Sequence, residues 1–173
     1  MVCCRFVLPM WERLRRFRRL SSRARAQFLR AVFLLPVISL SLRVRGFGAT
    51  QKWLRRFLPR DFPLKSDAEE VGPAGKEEAS GEAATADWAV DTAARYGVAH
   101  PTCLQRSLAL WYLLGRVGVR SELRIGVRKT GEKFEAHAWV ECDGAAVGEL
   151  EALHEHYAVL DAELSGLPVE KAP

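Results

Sequence analysis

Between Thr102 and Leu150 the spacing of apolar residues changes from a helical to a strand period, and that change fixes what this part of the chain can become. Leu104, Leu108, Trp111 and Leu114, with Ala109 and Tyr112 beside them, recur at three- and four-residue steps. They predict an amphipathic helix that begins near Cys103, capped by Thr102, and ends at Gly115 or Gly118. Ser121–Val127, Phe134–Glu141 and Ala145–Leu150 then read as strands, with turns at Lys129-Thr130-Gly131 and Cys142-Asp143-Gly144. A helix followed at once by short hairpin-linked strands predicts an α+β core, the helix packed on a small antiparallel sheet.

The preceding residues differ in charge. Residues 1–65 hold 16 Lys/Arg against 2 Asp/Glu, while the other 108 hold 10 against 19. Residues 11–35 read as a basic amphipathic helix that Ser21-Ser22 can divide, and Gln51–Leu58 as a second short one stopped by Pro59 and Pro63. Ala31–Leu42 is the most apolar stretch, yet its dozen residues contain Pro36 and fall short of the ~20 that span a bilayer. A core helix kinked at Pro36 is the plain reading. A signal peptide with small residues at Gly46–Ala49 and a helix docked on anionic lipid or a protein are the others. Ser66–Ala86, with six acidic residues, three glycines and few groups to bury, reads as an acidic linker. Three parts follow: a helical arm (1–65), the linker (66–86) and a core (87–173), with a helix over Asp87–Tyr96 stopped by Gly97. The arm's charge suits a membrane surface, an acidic partner or the acidic stretch of the same chain. It carries no recognised nucleic-acid motif, so nucleic acid is not expected as a partner.

Four cysteines, Cys3, Cys4, Cys103 and Cys142, make neither a disulfide framework nor a CxxC zinc pair, and a reducing cytoplasm is expected. Cys103 stands out by its place. In the first turn of a helix, unpaired N–H groups and the macrodipole stabilise a thiolate. His137 alternates onto one strand face with Glu135, Trp139 and Glu141. Two hairpin registers are open. A two-residue Asp143-Gly144 turn sets Cys142 opposite Ala145 and turns Glu149 away from His137. A three-residue loop with Gly144 left-handed sets Glu141 opposite Ala145 and His137 opposite Glu149, and this register is expected because it gives the imidazole an orienting carboxylate. Cys103, His137 and Glu149 then form a nucleophile–base–orienter triad. The backbone N–H of Cys103 donates to the oxyanion. Gln105 and Trp139 are candidates for a second donor, and Trp139 is a candidate cleft wall. Cys142, beside a turn, is expected to be an incidental thiol.

PTCLQRSLALWYLLGRVGV, LRIGVRK and FEAHAWVECDG together resemble the lasso-peptide leader peptidases, stand-alone transglutaminase-like cysteine peptidases, over about Thr102–Glu149. The resemblance implies a papain/transglutaminase-like core preceded by a helical arm, with Cys103 as nucleophile and His137 as base. The family's third residue is usually an aspartate in the strand after the DG turn; Glu149 stands there, with Asp143 and Asp161 as substitutes. The resemblance further implies cleavage of the leader from a ribosomally made precursor, with a separate leader-binding protein and a macrolactam-forming cyclase. Neither cofactor nor metal is expected in this subunit. An acyltransferase using the same triad, or a scaffold that has lost it, are the competing functions.

Overall fold

A computed structural model describes residues 21–59, 73–97, 100–131, 133–148 and 157–160. Three helices, α1 (Ser22–Arg55), α2 (Pro73–Tyr96) and α3 (Cys103–Arg116), pack with a sheet of β1 (Glu122–Thr130), β2 (Lys133–Cys142), β3 (Ala145–Ala146) and β4 (Ala158–Val159). The sheet is antiparallel, in the order β3-β2-β1-β4.

α3 lies at the centre. Every residue from Ser107 to Trp111 is buried, and Leu108, Ala109, Leu113 and Leu114 are among the most enclosed side chains, while Arg106 and Arg116 stay exposed, as expected of an amphipathic helix. Its end follows from one glycine. Gly118 takes φ 79°, so Gly118 N–H donates to Gly115 O at 3.3 Å and Val119 N–H to Leu114 O at 3.0 Å, the two bonds of a Schellman cap.

α1 starts where Ser21 accepts a hydrogen bond from Ala24 N–H at 3.1 Å, so this serine caps the helix. Helical geometry passes through Pro36 and breaks at Gly46 (φ 75°, ψ 178°), correcting the expected kink site. Only glycine takes that backbone conformation without strain. Thr50 spans the break, donating to Gly46 O at 2.7 Å and sharing a 2.9 Å hydrogen bond with Ser41.

The expected linker is corrected over its last two thirds. Residues 73–86 are helical, the first half of α2, and Ala83 and Ala86 are buried with Val90 and Ala93 in the cluster that includes Leu35 of α1 and Leu108 of α3. Alanine is the strongest helix former, and its small side chain lets a neighbouring helix approach closely. Glu82 accepts from Arg23 at 2.7 Å and from Gln27 at 3.1 Å, so the acidic stretch is one destination of the arm's charge. Arg106 of α3 pairs with Asp91 of α2 at 2.8 Å.

The hairpin register also differs from expectation. Cys142 pairs with Ala145 and Glu141 with Ala146, which leaves Asp143 (φ 49°) and Gly144 (φ 80°) as a two-residue turn. Both left-handed conformations match a type I′ turn, whose twist suits a hairpin. The last bond of this ladder runs from Val147 N–H to Val140 O at 2.9 Å, and Gly148 at φ 73° then turns the chain away. A short strand, β4, was not anticipated; it pairs Val159 with Gly126 on the outer edge of β1.

Candidate active site

Thr102 and Gln105 build the start of α3 as a reciprocal capping box. Thr102 Oγ1 accepts from Gln105 N–H at 3.4 Å, and Gln105 Oε1 accepts from Thr102 N–H at 2.9 Å. Cys103 is the first helical residue, a free, half-buried thiol. The Gln105 amide donates to Ser39 of α1 at 3.2 Å. Gln105 therefore anchors the start of α3 to its cap and to α1.

One turn beyond Cys103, Ser107 donates to the carbonyl of Ala138 at 2.7 Å, a buried bond. Residues four apart share a helix face, so the side of α3 that carries Cys103 is fastened to β2 at the residue next to His137. His137 is half-buried, midway along β2 and opposite Gly126 of β1. The Trp139 ring stacks beside the imidazole, with centroids 6.1 Å apart and planes 15° apart, and Tyr157 stands 5.5 Å away on another side. Trp139 is buried and sends its indole N–H to Glu141 Oε1 at 2.8 Å. That indole donor is engaged by Glu141 rather than free for an oxyanion. Arg124 holds Glu141 in turn, at 3.0 Å, while also pairing with Glu122 at 2.7 Å.

Gly126 makes this aromatic group possible. A Cβ at that position would lie 2.8 Å from Tyr157 Cβ and 2.9 Å from two Trp139 ring atoms. Sequence reasoning passed over Gly126, Tyr157 and Ser107. A glycine inside a strand signals the close approach seen at Gly126; nothing local marks Tyr157, which β4 delivers from a distance in sequence. Arg128 covers the far side of Tyr157, its guanidinium 4.8 Å from the ring centre, and pairs with Glu135.

The carboxylates divide clearly. Asp143 is in the exposed turn, six residues past His137 on a strand rising about 3.3 Å per residue, so more than about 15 Å separates them. It cannot orient the imidazole. Glu149 and Asp161 lie outside the described residues, and the register that set Glu149 opposite His137 is replaced by the two-residue turn. Gly148, just before Glu149, presses against the carboxylate of Asp87 from α2, leaving no space for a side chain. Cys142 is a poor nucleophile, because burial, and secondarily the charge of Asp143, pushes its thiol up to about 11. Among the described residues no three His, Cys, Asp or Glu side chains gather as a metal site.

The sequence profile of the transglutaminase-like superfamily matches residues 42–162, more than two thirds of the chain, taking in the thiol, the strand histidine and both hairpins. The chain belongs to this superfamily. Transglutaminase-like proteins commonly are cysteine peptidases or acyltransferases, and a cysteine at a helix start with a histidine in the adjoining sheet is the equipment such chemistry needs. The match begins within α1 and runs through α2, so the superfamily segment includes residues that the sequence had divided between arm, linker and core. No curated protein and no solved structure matches the chain.

Proposed function

We propose that this transglutaminase-like protein is a cysteine peptidase that removes the leader from a ribosomally made lasso-peptide precursor. Cys103 is the nucleophile and His137 the base. The observation that carries the reading is the free thiol at the capped start of α3, with the next turn of that helix hydrogen-bonded through Ser107 beside His137. The CLQRSLAL and AHAWVE strings narrow the substrate to a lasso precursor by their resemblance to the leader peptidases.

In the reaction His137 takes the Cys103 proton and the thiolate adds to the scissile carbonyl. The backbone N–H of Cys103 donates to the oxyanion. The C–N bond breaks as the imidazolium protonates the leaving amine, giving a thioester. Water, deprotonated by His137, then releases the carboxylic acid and restores the thiol. A separate leader-binding protein presents the precursor and a cyclase closes the macrolactam, all in a reducing cytoplasm. The superfamily match favours one further reading, in which an amine resolves the thioester and the enzyme is an acyltransferase.

Purified protein, the leader-binding partner and the precursor are combined, and products are weighed by mass spectrometry with and without added amine. Leader release by wild type, and none by Cys103→Ala, is expected. An amide product formed only with added amine would instead establish acyl transfer. Equal cleavage by both proteins would remove Cys103 from the chemistry.

A further inference from the structure

α1 is apolar on two opposite faces. Ala24, Ala31, Leu35 and Ile38 are buried on the inner one. At 100° per residue, Leu29, Phe33, Val37, Leu40 and Val44 fall within an arc of about 80° on the other side. All five are exposed, and Phe33, Leu40 and Val44 show 74%, 63% and 73% of their surface. The stripe is roughly 22 Å long at 1.5 Å per residue. Scattered surface apolar residues are ordinary, but an unbroken line of this length marks a surface that meets something apolar.

The charge around it says what. α1 contains no Asp or Glu. On the helical wheel Arg25 and Arg43 border one edge of the stripe and Arg30 the other. Apolar side chains flanked by guanidinium groups suit a surface that is oily inside and anionic at its rim. A second copy of the chain would bring the same arginines against these, and like charges oppose that pairing. By length and composition α1 meets the requirement for a membrane-crossing helix, with mean hydropathy 1.5 over its best window and 22% of that window buried. Crossing would strip its inner face from α2 and α3, whereas lying flat keeps that packing intact.

We propose that the outer face of α1 is a lipid-docking surface. The protein lies on an anionic bilayer with Leu29, Phe33, Val37, Leu40 and Val44 at the acyl–headgroup boundary and Arg25, Arg30 and Arg43 on lipid phosphates. This is independent of the thiol chemistry and can fail or hold without it.

The test is co-sedimentation of the full chain with vesicles of phosphatidylcholine mixed with phosphatidylglycerol, against phosphatidylcholine alone. Wild type is expected to partition onto the anionic vesicles. Phe33→Ser/Leu40→Ser/Val44→Ser is expected to lose at least about tenfold in partition while keeping its far-ultraviolet circular dichroism and melting temperature. Should the triple variant not fold, Phe33→Ser alone, at the most exposed position, is expected to lose about threefold. Equal partition of folded variant and wild type would overturn the proposal by assigning binding to charge alone. So would an absence of wild-type binding, or a wild-type dimer in sedimentation velocity that the substitutions dissolve.

Discussion

Trp139 turns its ring face to His137 and its N–H to Glu141, so a charge two residues along the strand helps to hold the surroundings of the imidazole. Glu141→Ala leaves a buried indole N–H without its acceptor and Arg124 with one partner fewer. A loss of about 1–3 kcal/mol in urea unfolding is expected, with a fall in kcat larger than any change in KM. Glu141→Gln keeps an acceptor for the indole and should recover most of both. The two described cysteines give a second residue-level test. Desolvation keeps the Cys142 thiol protonated up to about pH 11, so its alkylation should be slow at neutral pH and rise about tenfold per pH unit towards that value. Peptide mapping after iodoacetamide treatment at neutral pH should find Cys103 carboxamidomethylated well before Cys142. At this scale the sequence was legible for placement, with Cys103 foreseen at the start of a helix and His137 within a strand. It was not legible where a role depends on what folds back from elsewhere, as with Tyr157 or the two bonds that occupy Gln105.

Among the elements, α3 could be read in advance because its 3.6-residue apolar period agrees with its packing, and the β1–β2 hairpin from its strand-forming runs and turn, although Ala138, Trp139 and Val140 are buried in succession rather than alternately. The register at β3 could not be, since two turns are compatible with Cys142-Asp143-Gly144 and only the left-handed φ of Asp143 selects the shorter. α2 misled for a different reason. Its first half lacks large apolar side chains, and its burial is made of alanines that match a close neighbour rather than fill a gap. Ala86, fully enclosed, tests this. Ala86→Leu adds three carbons to a packed site and is expected to cost about 1–3 kcal/mol in thermal or urea unfolding, where a solvated linker would accept it without change.

For the whole molecule, one buried cluster runs from Ala31 in α1 through α2 and α3 to Val140 in β2. Unfolding should therefore be a single transition, with near- and far-ultraviolet circular dichroism giving the same midpoint; two separated midpoints would show that α1 and the sheet fold apart. The opposed charges of the two ends of the sequence are partly met at the surface, in the Arg23–Glu82 pair, and partly left on the outer side of α1. Gly126 shows how such a molecule can mislead a geneticist. A saturation library scored for activity would reject nearly every substitution there, because one added methyl collides with the Trp139 ring and the Tyr157 Cβ beside the imidazole. On a tolerance map Gly126 would look like a reactive residue, although it supplies only room.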